Sequence, residues 1–167
     1  MKVFRRIAIA TAIALPFVAA QLTESRAASI AEVAQSAGQF DTLLAAAQAA
    51  GLADALTTGG PFTVFAPTDE AFAALPDGTV ENLLRPENRD QLAAILSYHV
   101  LPRRLASNML PGRTIHVRTI KQGGDRLLAV TKSGGGVTVD EATVVSADIE
   151  ADNGIIHVID KVMLPSS

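Results

Sequence analysis

The spacing of apolar residues changes character halfway along the chain. From Ser29 to about Leu96, apolar positions recur every three or four residues in short blocks, which is the period of amphipathic helices. From Arg113 onward, apolar residues alternate with polar ones or form short β-branched runs, which is typical of strands. Because helices come first and strands follow, the sequence predicts an α+β domain rather than a parallel βαβ repeat.

The helical half is divided by glycine, proline and capping residues. Ser29 and Glu32 fit a capping box, which predicts that a helix begins at Ile30. A second helix is predicted from about Phe40 to a left-handed stop at Gly51. The further predicted elements of this half are a helical turn at 52–56, a strand at 62–66, helices at 79–84 and 87–96, and an extended segment at 97–101.

The second half contains four β-rich segments that are separated by glycine. Gly123-Gly124 and Gly134–Gly136 divide the first three, and Asn153-Gly154 precedes the last. An Asn-Gly pair is a strong signal for a two-residue hairpin turn. The β-rich segments are 113–120, 126–133, 137–149 and 155–164.

A hydroxyl and two carboxylates stand between the strand at 62–66 and the next apolar run. This Thr68-Asp69-Glu70 cluster has the residue types of a reactive site. Thr68 is also a natural helix N-cap, and acids in the first turn are favoured by the helix dipole. Phe72 then faces the core. We interpret the cluster as the boundary between a strand and a helix.

A secretory signal peptide is predicted at residues 1–27. Three basic residues among the first six precede an uncharged apolar run of 14 residues, which is shorter than the roughly 20 that a membrane-spanning helix needs. Cleavage after Ala20 or Ala27 fits the small residues there, and the helix start that follows favours Ala27. The remaining chain, 28–167, is then a single domain that is secreted or periplasmic and not membrane-spanning.

The charge balance of that domain is acidic. Without residues 1–27 the chain has 10 basic and 16 acidic side chains, which argues against nucleic-acid binding. Residues 103–132, by contrast, carry seven basic side chains and one acidic one. Arg113, Arg118 and Lys121 in this region are candidates for binding an acidic polysaccharide.

A solvated strand face is the alternative explanation of these basic residues. If 113–121 is a strand, Ile115 and Val117 face inward, and His116 and Arg118 face outward. The exposed residues would then need no ligand.

Candidate catalytic and metal-binding chemistry is sparse. The chain has no cysteine, which excludes disulfides, cysteine-ligated zinc and thiol catalysis. His99, His116 and His157 lack metal-ligand spacing. The acids of 148–154 imitate a calcium loop, but the glycine is one place late and Ile159 stands where the bidentate Glu belongs. We predict no catalytic residue, no metal and no cofactor, and a hydrolase is the least favoured class.

Three stretches together resemble the signature motifs of the fasciclin domain. They are TVFAPTDEAF at 63–72, LSYHVLP at 96–102 and NGIIHVIDKVMLP at 153–165. The resemblance covers about 29–165 and implies a compact α+β wedge, with a seven-stranded β core and helices packed around it. It also implies adhesion and surface interactions rather than catalysis. The structural residues of these motifs are Thr68, Asp69, Phe72, Asn153, Gly154 and His157.

The same resemblance implies a partner-binding site at Asp148 and Ile149. An Asp-Ile pair shortly before the Asn-Gly motif is implicated in integrin binding in animal matrix proteins of this family. Here Glu150 adds a charge after the pair, so another surface partner is expected, with Tyr98 and His99 as neighbouring support. The structural alternative is that Ile149 packs inward and Asp148 faces a turn or solvent.

The sequence therefore predicts an exported, non-enzymatic binding domain. Its expected partner is a cell-surface protein, a matrix protein or an acidic polysaccharide, and bridging two surfaces with one domain would require self-association or a tether. The alternative function is a periplasmic carrier of a small molecule or lipid, held between helices and sheet. Tyr98, His99 and His157 are expected to be buried core residues with paired polar atoms, because leaving such atoms unpaired costs about 1–3 kcal/mol.

Overall fold

The described chain has its helices first and its strands later, as the apolar spacing predicts. A computed structural model describes residues 28–165. The predicted signal peptide, 1–27, and residues 166–167 lie outside the described residues. The α+β class is confirmed.

Within residues 28–165 there are six α-helices, seven strands and two short 3-10 helices. The α-helices are α1 (Ile30–Ala37), α2 (Asp41–Ala50), α3 (Ala53–Thr58), α4 (Asp69–Ala73), α5 (Thr79–Leu83) and α6 (Arg89–Tyr98). The strands are β1 (Phe62–Pro67), β2 (Val100–Leu101), β3 (Thr114–Arg118), β4 (Leu127–Ser133), β5 (Gly136–Val139), β6 (Ala142–Ala151) and β7 (Gly154–Ile159). The 3-10 helices are Pro86–Asn88 and Ser107–Met109.

Several element boundaries differ from the sequence prediction, and β7 ends at Ile159 rather than continuing to 164. Pro86–Asn88 forms a 3-10 helix, and α6 extends to Tyr98, so the first two residues of the predicted extended segment are helical. The reason is that Tyr98 continues the buried face of α6. The β-rich segment 137–149 divides into β5 and β6 at Asp140, whose φ of +51° is the left-handed backbone of a tight hairpin turn.

The seven strands form one sheet in the order β2-β1-β7-β6-β5-β4-β3, which confirms the seven-stranded core. β1 and β7 pair in parallel, from Phe62 opposite Gly154 to Pro67 opposite Ile159, and the other pairs are antiparallel. The amide of Ile120, after β3, donates to a carbonyl of β2 at 2.9 Å. The two ends of the sheet are therefore connected by a hydrogen bond.

Apolar side chains are buried on both faces of the central strands. Val64 belongs to a cluster with the helices, whereas its neighbour Phe65 belongs to a second cluster with β3, β4 and β5. Adjacent side chains of a strand point to opposite faces, so the two clusters lie on either side of β1. All six residues of β7 are buried, as expected for a strand covered on both faces.

The turn between β6 and β7 lies one residue earlier than predicted. Ala151 pairs with Gly154 across the hairpin, so the central turn residues are Asp152 and Asn153 rather than Asn153 and Gly154. Gly154 is required for another reason. A Cβ at this position would lie 2.1 Å from the carbonyl oxygen of Phe62, so the close parallel approach of β1 excludes any side chain.

Asn153 joins this turn to the helical half. Its side-chain oxygen accepts the amide of Ile30 at the start of α1 at 2.8 Å. Its side-chain nitrogen donates to the carbonyls of Leu56 at 2.7 Å and Gly59 at 3.0 Å. One side chain therefore holds α1, α3 and the hairpin together.

The predicted helix caps are present. Ser29 and Glu32 form the complete capping box of α1. The Thr68 hydroxyl accepts the amide of Ala71 at 3.2 Å at the start of α4. The cluster at 68–70 is therefore a strand-to-helix boundary, as predicted.

Asp69 has a second role that its position in the sequence does not indicate. Its carboxylate accepts the amide of Thr42 at 2.8 Å and that of Asp41 at 3.3 Å, both in the first turn of α2. Burial alone would raise the pKa of Asp69, but these bonds lower it below its usual value. Asp69 thus caps α2 while it lies in the first turn of α4.

Replacing Thr68 by alanine tests the cap. Thr68→Ala is expected to lower the free energy of unfolding by about 1 kcal/mol, because an amide of the first turn of α4 loses its acceptor. Thr68→Ser keeps the hydroxyl and is the matched control. Urea unfolding of the three proteins measures the effect, and an alanine variant as stable as the serine variant would contradict the assignment.

Candidate functional site

The predicted partner site at Asp148 lies on a bulge of β6. The register between β6 and β7 shifts between Val144 and Ser146 and again between Ser146 and Ile149, so intervening residues leave the ladder. Asp148 has a φ of +58°, which is uncommon for a residue other than glycine. Asp148 is exposed, and Ile149 packs against the helix-side core. These positions agree with the structural alternative raised from the sequence.

The Asp148 carboxylate is bound by a single residue from another segment. The Ser107 amide donates to one carboxylate oxygen at 2.7 Å, and the Ser107 hydroxyl donates to the other. The Ser107 carbonyl in turn accepts from Lys132 Nζ at 2.8 Å. Burial alone would raise the pKa of Asp148, but the bonds from Ser107 and the positive charge nearby lower it. The carboxylate is therefore ionised at neutral pH.

His157 lies beneath the same bulge. Its Nδ1 accepts the backbone amide of Asp148 at 3.2 Å, and its Nε2 donates to the carbonyl of Leu105 at 2.7 Å. The ring stacks on Phe65 with 5.4 Å between centroids. This pattern requires the neutral tautomer with the proton on Nε2. Burial lowers the pKa of His157, although the Leu105 carbonyl and the Asp148 charge act in the opposite direction.

Tyr98 is buried, with 3 % of its surface exposed. Its hydroxyl lies 2.8 Å from a carboxylate oxygen of Asp140, to which it donates, and 3.1 Å from the carbonyl of Leu127. Burial and the Asp140 carboxylate together raise the pKa of Tyr98. The residue connects α6 to the turn between β5 and β6.

His99 is buried more deeply, with 1 % exposed. Its Nδ1 lies 2.8 Å from the carbonyl of Ile95, and its Nε2 accepts the amide of Met163 at 3.0 Å. The predicted burial and pairing of Tyr98, His99 and His157 is confirmed. The expectation that Tyr98 and His99 support Asp148 at a partner surface is corrected, because buried side chains bonded within the domain are not available to a partner.

The basic residues of β3 lie where strand alternation predicts. Val117 is buried and Ile115 half-buried, whereas His116 and Arg118 are exposed. Arg113, just before the strand, is also exposed. The outer face of β3 therefore presents basic side chains to solvent.

Lys121 differs from the other basic candidates. It lies beyond β3 and is half-buried. Its Nζ donates to the carbonyl of Asp125 at 3.1 Å and lies 6.0 Å from the centroid of the Tyr98 ring. Its ammonium is therefore already engaged within the domain.

Two cavities bear on the carrier hypothesis. The first lies between helices and sheet, next to Leu43, Val64 and Ile156, and has a volume of about 40 Å³. A water occupies about 30 Å³ in the liquid, and ligand pockets measure about 300–1,000 Å³, so a lipid does not fit there. The second is an open groove of about 630 Å³ whose walls include both Glu141 and Lys161, and it is not the gap between helices and sheet.

Within residues 28–165 no three histidine, aspartate or glutamate side chains are grouped so as to hold a metal ion. No helix there is long and apolar enough to cross a membrane. Every buried side-chain nitrogen or oxygen of the described residues has a hydrogen-bond partner, so this interior holds no orphaned polar group that would indicate a missing ligand.

Sequence reasoning did not identify Ser107, Leu105 or Lys132 as part of this site. Ser107 is 41 residues from Asp148 along the chain, and Leu105 is 52 residues from His157. A lone serine and a backbone carbonyl carry no motif. Only the fold brings them to the bulge.

The chain belongs to the fasciclin domain family. The family model for the fasciclin domain matches residues 38–165, most of the chain. Protein sll1483 of Synechocystis sp. is 49 % identical over 148 residues, which cover 89 % of this chain and 79 % of that protein. The uncharacterized protein sll1735 of the same organism is 46 % identical over 136 residues, covering 81 % of this chain and 97 % of that protein.

Similarity also extends to an animal protein and to a solved structure. Transforming growth factor-beta-induced protein ig-h3 of Sus scrofa is 40 % identical over 137 residues, which cover 82 % of this chain but only 19 % of that protein. A solved FAS1 domain pair from the insect cell adhesion molecule fasciclin I matches with a TM-score of 0.42 and 26 % identity, covering 64 % of this chain and 38 % of that one.

The buried histidines predict how stability depends on pH. Burial lowers the pKa of His99 to about 4, with the Ile95 carbonyl and the Asp140 charge opposing the shift. In the unfolded chain a histidine has a pKa of about 6.5. The free energy of unfolding is therefore highest above that pH and falls as the pH drops toward about 4. Protonation of His99 accounts for a loss of ~3 kcal/mol in the free energy of unfolding, and His157 changes it in the same direction.

Urea unfolding at a series of pH values between 7.5 and 4 measures this dependence. His116→Gln, which removes an exposed histidine, is the control and should keep the full dependence. A free energy of unfolding that is constant over this range would contradict the burial of neutral imidazoles.

Proposed function

We propose that this chain is an exported, non-enzymatic binding domain that attaches to a partner on a cell surface or in the surrounding matrix. Two observations from the sequence support this proposal. Fasciclin domains act in adhesion and surface interactions, and the N-terminal pattern of residues 1–27 is that of a signal peptide.

One structural observation carries the proposal, namely a surface formed by two segments joined through Asp148. We call it the Asp148 surface and define it as the 3-10 helix Ser107–Met109 together with residues 145–148 of β6. It contains two large apolar side chains that are mostly exposed, Met109 at 62 % and Val145 at 60 %. Exposed apolar side chains that form a larger patch rimmed by polar residues mark protein interaction sites, and the proposal places these two side chains in such a patch with Asp148.

The fixed geometry of this surface favours binding. Ser107 holds both carboxylate oxygens of Asp148, so the two segments are connected before a partner arrives. Ordering loops and side chains on association costs free energy, and a preformed surface avoids much of that cost. Each carboxylate oxygen retains a lone pair for a donor of the partner.

A carrier function receives less support. The cavity between helices and sheet holds about 40 Å³, which is far below the volume of a lipid. A native mass measurement on the purified protein is expected to show the mass of the polypeptide alone, whereas a copurifying lipid would favour the carrier.

The attachment proposal is tested by Asp148→Ala. Loss of the carboxylate removes the bond to Ser107 and the charge of the surface, so attachment to an envelope or matrix extract is expected to weaken several-fold while the domain stays folded. Asp77→Ala, which removes an exposed acid from a turn before α5, is the control. If a stable Asp148→Ala variant attaches as well as the control, Asp148 has no part in binding.

An acidic polysaccharide is the second candidate partner, because Arg113, His116 and Arg118 are exposed at β3. We expect an Arg113→Ala/Arg118→Ala variant to bind alginate more weakly than the parent. Binding of the parent should itself decrease between 50 and 500 mM salt, because salt screens exposed charges.

The control for this variant is Arg85→Ala/Lys161→Ala, which removes the same charge from other exposed positions. Equal binding by both variants, or binding that does not depend on salt, would exclude the basic strand as a polysaccharide site.

A further inference from the structure

The backbone of the Asp148 surface is held by a group that titrates. The Asp148 amide donates to Nδ1 of His157 at 3.2 Å. Asp148 adopts a left-handed backbone with a φ of +58°, a conformation that is unfavourable for a residue other than glycine. The hydrogen bond to His157 and the two bonds from Ser107 oppose that cost.

Protonation of His157 is incompatible with this arrangement. A second proton would sit on Nδ1, where the amide hydrogen of Asp148 already points. The ring cannot turn over without losing the bond from Nε2 to the Leu105 carbonyl at 2.7 Å. A protonated Nδ1 needs an acceptor, but the group that lies against it is the Asp148 amide, which is a donor. Charging the imidazole therefore opposes the bond from the Asp148 amide to Nδ1, whereas the bond from Nε2 to the Leu105 carbonyl is kept.

The groups around His157 do not remove this conflict. From β1 the ring meets Phe65, which is uncharged. From β6 it meets Asp148, whose charge favours protonation. Lys132 on β4 donates to the Ser107 carbonyl and places a positive charge near the Asp148 carboxylate. From the segment before the 3-10 helix, Arg104 donates to the carbonyls of β6 and β7 residues. Burial is the largest influence, and it keeps the pKa of His157 below its ordinary value.

We propose that His157 is a positioning residue for the Asp148 surface, which is formed while the imidazole is neutral and is released when the imidazole is protonated. The binding part of this inference rests on the proposed function, whereas the conformational part does not. The partner is accordingly held at neutral pH and released at an acidic pH below the ordinary pKa of histidine.

The conformational part is tested by NMR on the ¹⁵N-labelled full chain from pH 8 down to pH 4. A His157 ring that stays unprotonated over this whole range would overturn release by protonation. The amide shift of Asp148 is expected to stay constant above about 6.5 and then to change with the same midpoint as the His157 ring. An Asp148 amide that does not respond while His157 titrates would overturn the positioning role. This readout requires no partner and no variant.

Two variants extend the test. His157→Gln removes the titrating group but keeps hydrogen-bonding atoms, so the Asp148 amide should lose its pH response. His116→Gln, the matched control on an exposed histidine, should keep it. If His157→Gln does not fold, the titration of the parent decides the question by itself.

The binding part is tested by measuring attachment of the protein to an envelope or matrix extract at pH 7.5 and at stepwise lower pH. The parent is expected to lose up to about tenfold in apparent affinity per pH unit below the midpoint of His157, and the Asp77→Ala control should follow it. If the Asp148 amide titrates together with the His157 ring but attachment does not depend on pH, release by protonation is wrong. If Asp148→Ala attaches like the parent at every pH while the NMR coupling is intact, the proposed function fails and the positioning role stands.

Discussion

Two buried imidazoles, those of His99 and His157, each bond to backbone groups of two other parts of the chain. His157 joins β7 to the bulge of β6 and to the segment before the 3-10 helix Ser107–Met109. His99 joins the end of α6 to the backbone near the end of the described chain. Each ring donates from one nitrogen and accepts at the other, which only a neutral imidazole can do. The fold therefore depends on burial keeping both rings uncharged, and that dependence makes it sensitive to acid.

Other contacts between elements are made by polar side chains of a different kind. Asn153 binds α1, α3 and the last hairpin together, and Asp69 caps α2 from the first turn of α4. Neither residue changes charge near neutral pH. Polar bonds that respond to mild acid are thus concentrated around the two histidines, and one of these lies directly beneath the Asp148 surface. The proposed link between pH and binding follows from that position.

Local chemistry explains which features of the fold could be predicted from sequence. The caps at Ser29 and Thr68 involve residues three apart, so spacing alone identifies them. Strand alternation likewise placed Val117 inside and Arg118 outside. The predicted turn at Asn153-Gly154 is one residue later than the observed one. Gly154 is needed because β1 approaches it closely in parallel, and it is not a central residue of the hairpin turn. That pairing links residues about ninety apart, and no local pattern encodes it.

The candidate site was less predictable for the same reason. Asp148 and Ile149 were found through resemblance to a family motif, but Ser107, the residue that fixes Asp148, comes from a distant segment. Tyr98 and His99 were expected both to be buried and to support a partner surface, and only burial is observed. A sequence motif identifies candidate residues of a site. Which of them are exposed to solvent depends on long-range contacts that the motif does not contain.

Both buried rings must be neutral to form the hydrogen bonds described above. ¹⁵N NMR of the histidine side chains at pH 7 measures their protonation state directly. The structure predicts a proton on Nε2 and none on Nδ1 for His157, and the reverse for His99. Observation of these two opposite neutral tautomers would support the account. A doubly protonated ring at either position, or the same tautomer at both, would contradict it.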